Sequence, residues 1–110
     1  MAISDSDVEK AIDWMRDQAN LAAQAAADVI TTEEGVKTAI AMAAAQSQQT
    51  SAAAAEREAR CTRGVQIAIE GKAAAVYNDR RYRLLYAAAE AKLEAWRTQQ
   101  ANARAEVKLG

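Results

Sequence analysis

The chain has 110 residues, a formal net charge of −1, no histidine, no proline and a single cysteine, and thirty of its residues are alanine. Without histidine there is no Ser-His-Asp or Cys-His catalysis and no imidazole metal ligand, and one cysteine excludes zinc ribbons, iron–sulfur sites and an internal disulfide. The near-neutral charge argues against whole-surface binding to nucleic acid.

Alanine loses no side-chain freedom on entering a helix, and without proline nothing forces a backbone N–H out of the ladder. The composition therefore predicts a single all-α domain. The first element starts near Ser6, which with Glu9 fits a capping box. Asp5, Asp7 and Glu9 place negative charge at the positive end of the helix dipole. From there Val8, Ile12, Met15, Ala19, Ala22, Ala26 and Val29 alternate at steps of four and three, a heptad seam of the coiled-coil type. Trp14 and Leu21 lie one position off this seam and widen it.

Thr31 with Glu34 repeats the capping-box pattern, and Gly35 weakens a helix interior by about 1 kcal/mol relative to alanine. Against a break, the heptad stays in phase through Val36, Ile40 and Ala43. The register favours one long helix over about 6–47, kinked near Gly35, with two separate helices as the alternative. Gln46–Ser51 is the clearest polar stretch and the turn, and Thr50 or Ser51 caps a short helical piece, Ala52–Ala59. Arg60–Gly64 forms a second irregularity, giving an elbow over about 48–63. A second long helix then runs over about 64–105, with Gly71 as a weak point. On it Val65, Ile69, Val76 and Leu93 cluster on one side, while Ile67, Leu85 and Trp96 favour another.

The resulting architecture is a long, alanine-rich, coiled-coil-like antiparallel hairpin with a short helical elbow. A thin alanine core is marginal alone, and one hairpin leaves apolar residues uncovered, so a homodimer forming a helical bundle is expected. Charge divides unevenly: residues 1–55 carry eight acids and three bases, and residues 56–110 carry seven acids and eleven bases. Either the two helices attract each other, or a basic face is kept for a phosphate-bearing or acidic partner.

The start MAISDSDVEK is polar and acidic, unlike a secretory signal, and no apolar run is long enough for a membrane span. The expectation is a soluble protein of a reducing cytoplasm that contacts no membrane. There Cys61 is a small apolar filler. No phosphate-binding glycine motif occurs, and a carboxylate-only metal bundle lacks its Glu-x-x-His partners. No enzyme activity and no cofactor are expected.

One dense constellation remains, Tyr77-Asn78-Asp79-Arg80-Arg81-Tyr82-Arg83. Arginines interleaved with tyrosines suit a single-strand binder, with guanidinium groups on phosphates and rings on bases. Equally, Tyr82, Leu85 and Tyr86 fill an interface while the arginines meet the acidic first helix. Trp96, between Glu and Arg, is either a core anchor or an interaction hot spot.

The run Ala89-Glu-Ala-Lys-Leu-Glu-Ala-Trp-Arg-Thr-Gln-Gln-Ala-Asn102 resembles the C-terminal stretch of small helical proteins encoded by tailed bacteriophages and prophages. Ala54–Ala59 and the opening Val8–Asp17 support the likeness, which covers about a third of the chain. Where those proteins carry an Asp-Pro-Arg-Tyr-like turn, this chain has Arg60-Cys61-Thr62-Arg63. The resemblance implies a phage origin among early replication or recombination genes, hence the cytoplasm of a bacterial host, and it supplies no activity. The expected function is a non-enzymatic interaction protein, an accessory or host-directed factor in phage DNA metabolism with a host or phage protein partner. The alternative is nucleic-acid binding. The candidate interaction residues are Tyr77, Arg80, Arg81, Tyr82, Arg83, Lys92, Trp96, Arg97 and Arg104.

Overall fold

A computed structural model of the chain describes residues 2–109; the protein is 90% helical, in three helices with no strand among those residues. Helix α1 spans Asp5–Ala45, α2 spans Ala52–Arg60 and α3 spans Arg63–Leu109. Helices α1 and α3 pack against each other as a hairpin. The chain divides into two compact units, Met1–Ala22 with Arg81–Gly110, and Ala23–Arg80.

In the first unit the helix start is set by Ser4, not Ser6. The Ser4 N–H donates to Asp7 Oδ2 and the Asp7 N–H donates to Ser4 Oγ, both at 3.1 Å, which is a reciprocal capping box two residues earlier than expected. The reason lies just upstream. The Ile3 N–H donates to Gln99 Oε1 at 3.0 Å and Gln99 Nε2 donates to the Ile3 carbonyl at 2.8 Å. Tied to Gln99 on both sides of its peptide, Ile3 is held outside the helix and Ser4 becomes the cap. Further along, Trp96 Nε1 donates to Asp5 Oδ1 at 3.1 Å, the Tyr86 hydroxyl to the Met15 carbonyl, and the Tyr82 hydroxyl to Gln18 Oε1 at 3.2 Å. Partner numbers fall on α3 as they rise on α1, so the two helices run antiparallel. Trp14 meets Tyr86 with ring centroids 5.1 Å apart and planes tilted by 54°.

In the second unit α1 passes through Thr31–Gly35 without interruption. Both threonines turn their hydroxyls back onto the helix. Thr31 Oγ1 donates to the Ala27 carbonyl at 3.3 Å and Thr32 Oγ1 to the Asp28 carbonyl at 2.7 Å. A hydroxyl satisfied this way no longer competes for the backbone N–H groups that a cap would take. Helix α1 ends at Ala45, and Ser51 caps α2 by accepting from the Ala54 N–H at 3.1 Å. Ser47 Oγ donates to the Glu58 carboxylate across the turn. Thr62 then joins α2 to α3: its hydroxyl donates to the Ala59 carbonyl at 2.7 Å and accepts from the Val65 N–H at 3.5 Å. The Lys72 ammonium lies 3.7 Å from Glu33, an ion pair between α3 and α1.

Both long helices carry an unbroken three–four seam of buried or half-buried residues. In the first unit it comprises Val8, Ala11, Met15, Gln18 and Ala22 on α1, and Tyr82, Tyr86, Ala89, Leu93, Trp96 and Gln100 on α3. In the second it comprises Ala25, Val29, Thr32, Val36, Ala39 and Ala43 on α1, and Val65, Ala68, Lys72, Ala75 and Asp79 on α3. Four of the ten expected α1 seam positions are therefore displaced by one residue. Ala11, Gln18, Ala25 and Ala39 stand where Ile12, Ala19, Ala26 and Ile40 were predicted. Small side chains let the helix axes approach, so alanine takes the inward place and Ile12 turns outward, 44% exposed. On α3, Val65 and Leu93 face inward, whereas Ile69 and Val76 do not share their side.

Candidate functional site

The sequence-derived candidates lie on one continuous helix but divide between the two units. Tyr77 and Arg80 belong to the second unit. Tyr77 is 72% exposed there, and with Ile69, Lys72, Ala73, Val76 and Arg80 it lines an open groove of about 480 Å³.

The remaining candidates belong to the first unit, where their roles diverge. Tyr82 is buried in the seam with its hydroxyl on Gln18, and the Arg81 guanidinium sits 4.9 Å from its ring centroid. A ring so placed presents no face for a base to stack on. Trp96 is half-buried with its indole N–H given to Asp5, the geometry of an anchor. Arg97 pairs with Glu94 one turn earlier, at 3.3 Å. Lys92 borders a second groove, about 280 Å³, with Lys10, Trp14, Leu85 and Ala88. Arg83, Arg97 and Arg104 follow one another at seven-residue intervals or multiples of it, with Glu90 set among them at the same spacing.

The electrostatics are mild. The Asp7 carboxyl is held below its ordinary pKa, first by the Ser4 N–H, then by the Ser4 hydroxyl, with smaller help from Lys92 and Lys10. Among the described residues no group of His, Cys, Asp or Glu is placed to hold a metal ion, and no helix is long and apolar enough to cross a membrane. Cys61 is exposed rather than a core filler, because it occupies the C-cap of α2.

What the fold does present is apolar surface. Ile30, Leu21 and Met42 on α1 are 66%, 55% and 64% exposed, and Ile67 and Leu84 on α3 are 52% and 64% exposed. None of these belongs to the candidate interaction residues, all of which are charged or aromatic. The signal that could have found them is the seam itself. Once alanines occupy the inward positions, the larger aliphatics are left outside. Compared with protein-family models, curated proteins and solved structures, the chain matches none.

Proposed function

We propose that this chain is a non-enzymatic helical interaction protein, self-associating as a homodimer and acting through protein–protein contact. In this reading it is an accessory or host-directed factor of bacteriophage DNA metabolism, working in the cytoplasm of the bacterial host. The observation that carries the interaction role is the aliphatic surface left outside the hairpin seam. Leu21, Ile30 and Met42 on α1 and Ile67 and Leu84 on α3 are more than half exposed, while alanine, glutamine, threonine and lysine take places in the seam beside its valines, Leu93 and Trp96. Large apolar side chains kept in water are the pattern of a surface awaiting a partner. The phage setting rests on the resemblance of the Ala89–Asn102 run, supported by Ala54–Ala59 and Val8–Asp17.

The test joins capture with titration. Protein tagged beyond Gly110 is used as bait in infected-cell lysate, beside an otherwise identical Ile69→Glu/Tyr77→Glu bait. A partner retained by the first and lost by the second is the expected result. Recovery of the same proteins by both baits overturns the docking role. In parallel, labelled single- and double-stranded oligonucleotides are titrated at low salt. Micromolar binding that falls with salt, at a log–log slope near −0.7 per phosphate contact for single strands, and that vanishes in Arg80/Arg81/Arg83→Ala, replaces this reading with nucleic-acid binding.

A further inference from the structure

Helix α1 carries a second three–four stripe, outside the hairpin seam, in the unit Ala23–Arg80. Ala26, Ile30, Glu33, Lys37, Ile40 and Ala44 follow one another at steps of four, three, four, three and four. The middle of the stripe is open to solvent: Ile30 is 66% exposed and the Glu33 and Lys37 side chains are 49% and 67% exposed, whereas Ala26, Ile40 and Ala44 are half-buried. About position 35 the stripe is symmetric in spacing and opposite in charge: alanine, isoleucine and glutamate on one side, lysine, isoleucine and alanine on the other.

We infer that two copies of this chain pair antiparallel along α1, about a two-fold axis level with Gly35. Ile30 then packs on the partner's Ile40, Glu33 meets the partner's Lys37, and Ala26 lies against the partner's Ala44. A two-fold interface must be complementary to itself, each contact being made twice. Charge decides the direction. A parallel pairing sets Glu33 on the partner's Glu33 and Lys37 on the partner's Lys37, whereas the antiparallel one gives two opposite-charge contacts. The step pattern is that of a left-handed coiled-coil interface, with isoleucines as knobs and alanines allowing close approach.

Within the chain Glu33 lies 3.7 Å from Lys72 and Lys37 lies 3.2 Å from Glu34, so in the dimer each is shared between its own-chain partner and the second copy.

This inference rests on the proposed self-association and specifies its face. Sedimentation equilibrium is run on the full chain from 1 to 200 µM, beside Glu33→Lys, Lys37→Glu and the double variant, with helix content checked by circular dichroism. Wild type is expected to dimerise, and each single reversal to weaken the dimer by about tenfold, because two attractive contacts become repulsive. The double variant is expected to associate more tightly than either single, since reversing both signs restores both contacts between copies even though it forfeits the in-chain pairs with Lys72 and Glu34. A monomeric wild type overturns the inference together with the self-association it rests on. A dimeric wild type whose folded single variants associate equally well, or whose double variant stays as weak as the singles, overturns this face and leaves self-association standing. Either single variant suffices if the other fails to fold.

Discussion

At the scale of single residues, the start of α1 is a small hydrogen-bonded circuit whose members have separable effects. Ser4→Ala removes the acceptor of the Asp7 N–H and is expected to cost about 1 kcal/mol, read as a lowered urea midpoint at unchanged m-value. The circuit also has a pH signature. Because the folded state holds the Asp7 pKa below its unfolded value, its contribution is fully present above about pH 4 and is lost as pH falls through the lowered folded value. Asp7→Asn should therefore flatten the acid limb of a stability-versus-pH curve while leaving its neutral limb parallel to wild type. Glycine supplies the opposite case. A Cβ built at Gly35 or Gly71 meets nothing within 4 Å, and neither residue has a positive φ. Gly71→Ala is thus expected to stabilise the protein by about 0.5–1 kcal/mol, seen as a raised Tm. An unchanged or lower Tm would mean that the open space is used by something other than water.

At the scale of helices, burial separates side chains of the same type. Val65 is 1% exposed and Val107 is 80% exposed. Val65→Ala deletes two buried carbon groups at about 0.8 kcal/mol each and should cost about 1.5 kcal/mol or more in urea titration, whereas Val107→Ala should fall within about 0.5 kcal/mol of wild type. The same contrast explains which parts of the helices could be read from the chain. Val8, Met15, Val29 and Val36 announced one half of the α1 seam because they are apolar and seven residues apart or multiples of it. Ala11, Gln18, Ala25 and Thr32 supply the other half, and nothing in their hydropathy marks them. Ile12 and Ile40, one position away, have the stronger apolar signal, yet Ile12 is exposed and Ile40 only half-buried. On α3 the seam runs through Lys72 and Asp79, which no hydrophobic pattern selects. The capping box was legible as a type of motif but not in its place: Ser6 with Glu9 matches the pattern, whereas Ser4 takes the cap with Asp7 because Gln99 holds Ile3 outside the helix. Among the candidate site residues, Tyr77 and Tyr82 looked alike in sequence. Only the antiparallel neighbour, with Gln18 facing Tyr82, makes one a core residue and leaves the other in water.

At the scale of the whole molecule, linkage gives the proposed self-association a thermal signature. A dimer that binds only the folded chain makes Tm rise with concentration, since the partner acts as a ligand of the native state. Melts at 2 and 200 µM should differ by several degrees for wild type, and at each concentration Glu33→Lys should melt lower than wild type. The hairpin also carries a consequence for how the chain acquires its structure. Its tertiary hydrogen bonds span very different sequence separations, from 11 residues between Ser47 and Glu58 at the elbow to 96 between Ile3 and Gln99 at the termini. Joining the far ends first costs about 2 kcal/mol more in chain entropy than closing the turn first. Folding should therefore proceed like a zipper from the α2 elbow outward, each closure being short once the previous one has formed. Substitutions at Glu58 or Val65 should slow refolding, while substitutions at Trp96 or Gln99 should speed unfolding and leave the refolding rate nearly unchanged.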